Sequence, residues 1–212
     1  MVMSDEKSQS RLALKKERLR SAFHHVVDGI AEIIHDRSSY IQLRLPVEKI
    51  TPEFEAELRD KIEHSVVHAK VRVATKEDIE HIKNVYDGAW HSSPMPIREV
   101  SKQTFIKLFE DSSTVFLIAS IDSVDAGFML LDFEGKNKEF GVIGGLGVLP
   151  KFQHKGLGTT LAIAAWDYFK KNGAIELRCE VYKDNQIPYA FIKRLGFEEM
   201  PSSMVDYGHL MK

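Results

Sequence analysis

An α+β fold built on a mixed sheet is what this sequence predicts, and three observations predict it. Three strand-like segments follow one another in mid-chain, at 114–121, 124–133 and 140–149. Such a run argues against a doubly wound parallel sheet, where strand and helix alternate. Helical stripes flank the run on both sides, and the texture of the chain changes near Lys70. The expected organisation is a helical extension over 1–69 and an α+β domain over 70–212.

The elements can be justified in order. Leu12, Leu19, Phe23, Val26, Val27, Ile30, Ile33 and Ile34 recur at spacings of three, four and seven, an amphipathic stripe that must lie against something. Packing on its own domain is the plain reading, and a homodimer contact is the sharper one. Residues 41–45 read as a short extended piece that runs into Pro46. Thr51 and Pro52 then suit a helix start, with Phe54, Leu58 and Ile62 on one face. Residues 71–73 read as a strand. Thr75 and Asp78 form an acidic capping box before the helical face Ile79, Ile82, Val85 and Tyr86. Ser101 can cap a short helix carrying Phe105 and Leu108. Asp122 and Ser123 join two strands as a hairpin. A helix is expected over 156–172, stopped by Gly173, then a strand over 174–181 and a helix over 185–195 ending at Gly196. Residues 197–199 and 204–210 read as closing strands.

Composition excludes several classes. The 212 residues are 43% hydrophobic and 28% charged, ordinary values for a globular protein. A net charge of -2 gives no long-range attraction to nucleic acid or anionic lipid. The polar first residues contain no secretory signal, and the longest apolar run, 161–166, is too short to span a bilayer. A cytoplasmic location is therefore expected. The single cysteine, Cys179, falls on the apolar side of its strand and reads as a buried hydrophobe. His64 and His68 have metal-ligand spacing on a helix but no third ligand, so no metal is expected.

Chemistry concentrates at 144–159. An apolar strand ends at Pro150, a short loop follows, and a helix begins near Gly156. The first turn of a helix carries unpaired N–H groups and a partial positive charge. Gly156 and Gly158 let an anion approach those donors, and Gln153, His154 and Lys155 add polar groups around them. The local chemistry is that of a diphosphate cradle. A P-loop pattern is absent, and the dinucleotide fingerprint fails because Pro150 stands where its third glycine should fall.

Gln153, Gly156 and Gly158 spell Gln-x-x-Gly-x-Gly after a strand that ends Val148-x-Pro150, and Asn185 opens a segment that closes on Gly196-Phe197. In these features the chain resembles the GNAT superfamily of acetyl-CoA-dependent N-acetyltransferases, over roughly residues 70–212. The resemblance implies a GNAT-like, mostly antiparallel central sheet flanked by helices, with acetyl-CoA as co-substrate and an amine as acceptor. It implies that backbone groups of Leu146 and Val148 hold the pantetheine arm. The N–H groups of Gln153, His154, Lys155, Gly156, Leu157, Gly158 and Thr159 would hold the pyrophosphate, and Asn185 would contact the cofactor. The family's usual tyrosine acid falls at Ile192 here. Tyr189, one helical turn earlier, is the candidate replacement, and a thiol can also leave without help. Glu180 is the candidate base, with Glu139, His91 or a water chain as alternatives, and Trp90 and His91 stand in the loop where the family usually builds its acceptor site. A non-catalytic acyl-CoA-binding protein is the rival reading, and an unrelated phosphate-binding domain the third.

Overall fold

The computed structural model describes residues 40–64, 68–90 and 100–201. The stripe at 12–34, His91 and the expected strand at 204–210 lie outside the described residues. Seven strands form one sheet: β1 (Tyr40–Pro46), β2 (Lys70–Val73), β3 (Val115–Ile121), β4 (Val124–Glu134), β5 (Phe140–Val148), β6 (Glu176–Tyr182) and β7 (Glu198–Glu199). Among the described residues, five α-helices flank it: α1 (Pro52–Glu63), α2 (Ile79–Trp90), α3 (Lys102–Glu110), α4 (Leu157–Lys171) and α5 (Gln186–Arg194). The strand order is β2-β3-β4-β5-β6-β1-β7. All neighbours run antiparallel except β5 and β6. The mixed, mostly antiparallel sheet expected from the sequence is therefore what forms.

Local chemistry explains the elements. Thr51 Oγ1 accepts from the Phe54 N–H at 3.2 Å, and Ser101 Oγ accepts from the Thr104 N–H at 3.2 Å, so both expected caps form. Asp122 and Ser123 take φ of 48° and 65°, the two left-handed residues of a tight hairpin turn. The sheet is buried on two faces. Leu157, Leu161, Trp166 and Phe169 of α4 pack with Leu43, Leu45, Leu177 and Cys179 on one side. Ile82 and Tyr86 of α2 and Phe105 of α3 pack with Phe116, Phe128 and Leu130 on the other.

Two sequence expectations change. The sequence places residues 1–69, the extended piece at 41–45 included, in an extension outside the α+β domain, yet β1 lies inside the sheet, paired along its whole length with β6 and at Leu43 and Arg44 with β7. Alternation is the reason: Leu43 and Leu45 enter the core while Gln42 and Arg44 face the other way. α1 follows β1 onto α4, through Phe54 against Trp166 (6.0 Å between rings) and Arg59 bonded to both Asp167 oxygens at 2.9 Å. The second change concerns His64, which stands at the C-cap of α1. The helix ends at Glu63, so His64 and His68 do not share a helical face.

Asp78 is the buried carboxylate of this framework. Its oxygens accept from Arg72 at 2.7 Å twice and from the Thr75 N–H at 2.8 Å. The Arg72 guanidinium holds the Asp78 carboxyl well below the usual carboxylate range.

Two outcomes follow. Leu43→Ala, at a site with no solvent exposure, should cost about 2–5 kcal/mol in a denaturant titration. Because the folded carboxyl of Asp78 is the more acidic one, its stabilisation is complete above the unfolded value of about 4 and declines as pH falls below it. Thermal melts between pH 6 and 2.5 should therefore show a shallower acid loss in Asp78→Asn, from a lower starting Tm, than in the wild type.

Candidate functional site

The site begins where two parallel strands part. β5 and β6 pair from Phe140↔Glu176 to Ile143↔Cys179 and no further, although β5 runs on to Val148 and β6 to Tyr182. The register of β5 against β4 shifts at the same level, from Leu131↔Ile143 to Leu130↔Gly145, which leaves Gly144 as an extra residue. A bulge bends its strand and ends pairing on one side. The result is an opening in the sheet between the C-terminal halves of β5 and β6.

Strand alternation says which groups face that opening. The Leu149 N–H donates to Ala126 O at 2.9 Å, so Leu149 and, two residues back, Gly147 turn their polar backbone toward β4. Leu146 and Val148 turn theirs the other way, toward β6. Gln153 Nε2 donates to Val148 O at 2.9 Å, which satisfies that carbonyl. The Val148 N–H and both backbone groups of Leu146 are left aimed into the opening.

α4 starts beside the end of β5. Pro150–Phe152 form a 3₁₀ turn closed by the Gln153 N–H on Pro150 O at 3.2 Å. That donor is thereby spent, unlike those the sequence reading grouped with it. From His154 to Thr159 no N–H donates to a backbone carbonyl among the described residues. Gly156 is the N-cap of α4, with φ of 85°, a conformation that costs other residues roughly 1–2 kcal/mol. No side chain caps this helix and no acidic residue stands in its first turn. Leu157, buried in the core, anchors the turn. Lys151 and Lys155 hold their ammonium groups 5.4 and 6.0 Å from the Phe152 ring centre, beside the same helix end. Positive charge and backbone donors thus converge, as an anion site requires. A Cβ on Gly158 would come within 3.3 Å of Phe191 and 3.9 Å of Leu146, so the glycine also lets α5 close over the helix start.

Other candidates fall in distinct places. Asn185 stands at the N-cap of α5, its N–H on Tyr182 O at 2.9 Å, just past β6. Glu180 is the first β6 residue beyond the last β5 pair. It lies on the face opposite Cys179, which is buried in the core on the α4 side with its thiol pushed up by burial. The other face at β5 is floored by Gly147, where a Cβ would lie 2.5 Å from Phe128 and 3.2 Å from Trp90. Trp90 stacks on Tyr86 at 4.6 Å, giving that side an aromatic wall. Tyr189 is not brought to this group. Its hydroxyl donates to Glu199 Oε1 at 2.5 Å, and Glu199 lies on β7, three strands and roughly 14 Å from β5. That bond also raises the Tyr189 pKa. Ile192 is buried in the core. Glu139 accepts from the Asn137 N–H at 2.8 Å, about 30 Å along the strand from Val148.

Comparison with known proteins now decides the family. The profile of the Acetyltransferase (GNAT) family matches residues 78–197, more than half of the chain. The chain belongs to the GNAT acetyltransferase family. An uncharacterized N-acetyltransferase of Methanocaldococcus jannaschii is 27% identical over 136 residues, 61% of this chain and 60% of that protein. A spermidine N(1)-acetyltransferase of Thermoplasma acidophilum is 32% identical over 84 residues, 40% of this chain and 50% of that protein. The chain thus spans about half to three fifths of the length of these relatives. Among solved structures, the PaiA N-acetyltransferase of Thermoplasma acidophilum in complex with coenzyme A superposes with a TM-score of 0.54 at 24% identity, covering 62% of this chain and 90% of that one. The ribosomal-protein-S18-alanine N-acetyltransferase of Escherichia coli gives 0.54 at 21% identity, covering 63% and 80%. Both likenesses establish the GNAT fold. Residues 40–77, with β1 and α1, precede the family match.

Gln42 is the residue the sequence reading passed over. Its Nε2 donates to Glu180 Oε1 at 2.5 Å. The signal was present in the alternation Ile41-Gln42-Leu43-Arg44-Leu45, which marks a half-buried strand with a polar face, but not which strand it would meet.

Gln153→Ala should leave the Val148 carbonyl without its partner and lower unfolding free energy by about 1–2 kcal/mol in denaturant.

Proposed function

We propose that this protein transfers an acetyl group from acetyl-CoA to a primary amine. The observation that carries the reading is the opening between β5 and β6, with unpaired strand donors along one side and an uncapped, positively framed helix start at its end. Leu146 and Val148 would receive the pantetheine arm as an added strand. The N–H groups from His154 to Thr159, with Lys155, would receive the pyrophosphate, and Asn185 would stand beside the cofactor at the end of β6. Gln153 would act through its side chain, by capping Val148.

In this reading the amine nitrogen attacks the thioester carbonyl, the C–S bond breaks and the amide bond forms. The Val148 N–H faces the carbonyl oxygen as negative charge builds on it. Glu180, directly or through water, takes the proton that the nitrogen loses. No hydroxyl of α5 reaches the sulfur, because Ile192 is apolar and Tyr189 is held on Glu199. The thiolate, of moderate basicity, would then leave without a side-chain acid and be protonated by solvent. Much of the rate would come from holding the two reactants together. The names of the relatives and fold neighbours cover spermidine, aminoglycosides and a protein alanine, so the acceptor panel should span polyamine, aminoglycoside and peptide amines.

Calorimetry with acetyl-CoA is the first test. Micromolar binding is expected, and Gly156→Glu should abolish it by placing a carboxylate at the phosphate site. Absence of binding by the wild type would end the acetyl-transfer reading. Binding with no CoA release across the amine panel would leave an acyl-CoA-binding protein instead. In an enzyme that turns over, Tyr189→Phe should keep kcat within about twofold, while Glu180→Gln should lower it by roughly a hundredfold. A hundredfold loss in Tyr189→Phe would restore the tyrosine as the acid.

A further inference from the structure

We propose that β1, the strand that precedes the family match, completes the acceptor side of the opening, and that Gln42 is a positioning residue for Glu180. The proposal rests on the acetyl-transfer reading above, in which Glu180 accepts the proton. Gln42 and Glu180 are direct partners in the β1–β6 register, and the amide donates to the carboxylate at 2.5 Å. Leu43 and Cys179, the next pair in that register, are both in the core on the α4 side. Gln42 and Glu180 therefore lie together on the opposite face, the one where Gly147 and Trp90 border β5. Cys179 is the last β6 residue paired to β5, so the bonded carboxylate stands at the vertex of the opening.

The chemistry of the donor matters as much as its place. A carboxylate that takes a proton from an amine must be held in one orientation and must stay basic. An arginine partner would orient it but would also stabilise its charge strongly. Arg44 and Arg178, the arginines of the same row among the described residues, bond to other carboxylates. Arg44 reaches Glu176 at 3.5 Å and Glu198 at 3.2 Å. Arg178 reaches Glu176 at 2.7 Å and lies 3.6 Å over the Phe140 ring. Tyr40 and Tyr182 close the row at the mouth, their rings 5.6 Å apart. The amide of Gln42 is neutral, so its hydrogen bond orients the Glu180 carboxylate without itself adding positive charge beside it.

The test uses the full chain and whichever of spermidine, tyramine or an alanine-initiated peptide the wild type acetylates fastest. Gln42→Ala should lower kcat/KM for the amine about three- to tenfold, with KM for acetyl-CoA and Tm unchanged. Gln42→Glu, a like charge beside the base, should move the acid limb of the pH profile up by about one unit, and Gln42→Lys should move it down. Opposite displacements show that the group titrating in the acid limb stands beside position 42, and the positioning role is read from the loss of kcat/KM in Gln42→Ala at unchanged Tm. An acid limb that stays put in both charged variants overturns the assignment, and so does a loss of Tm that accounts for the loss of rate. If the wild type releases CoA to none of the three amines, acetyl transfer fails first and this assignment falls with it. Turnover with an unmoved limb sinks the Gln42 assignment alone.

Discussion

Parallel pairing between β5 and β6 stops after Ile143 and Cys179, and the rest of the site depends on that stop. The extra residue at Gly144 shifts the register against β4 and bends β5 away from its neighbour. A continuous ladder would have spent the backbone groups of Leu146 and Val148 on β6. Interrupted, it leaves the Val148 N–H and both groups of Leu146 at fixed strand spacing, the arrangement that an extended ligand can join as one more strand, while Gln153 holds the Val148 carbonyl.

The interruption needs support on both sides, and the two cores supply it. On one side α4 presses Trp166 and Phe169, both without solvent exposure, against the sheet and sets its own N-terminus at the end of β5. On the other side Tyr86, Trp90 and Phe128 stack beside Gly147, with Tyr86 and Phe128 in the second core and Trp90 packed against it. The small residue on β5 is what allows this aromatic wall to come so close. The strand end and the helix start thus sit on packed elements, and the first turn of the helix carries no acidic side chain to oppose its positive charge.

β1 changes how the domain should be understood. It inserts between β6 and β7, so β6 is paired on its far side where it has parted from β5. Without that strand the open half of β6 would have a free edge on both sides, and Glu180 would have no partner across the ladder. The ion pairs of α1 with α4, at Arg59–Asp167 and Glu55–Lys170, fasten the same segment a second time. Arg59 and Asp167 are exposed, which makes their pair a small contribution, and Phe54, half-buried against the fully buried Trp166, carries more of the attachment.

Local features were legible in the residues alone. The caps at Thr51 and Ser101, the hairpin at Asp122 and Ser123, and the helix opening after Gly156 each follow from a few consecutive side chains and their backbone preferences. The loop at 153–159, which we propose binds an anion, belongs to this class, because its donors are neighbours in the chain. Pairing across the sheet does not. Gln42 meets Glu180 across 138 positions, and only the sheet register decides that meeting. Tyr189 shows the same limit from the other direction: its helical position was readable, but the carboxylate that takes its hydroxyl arrives on a strand set by tertiary packing. Sequence by itself determined where a helix start with glycines and free N–H groups would stand. The tertiary structure decided which side chains stand opposite it, since contact between distant residues is fixed by burial and register rather than by spacing.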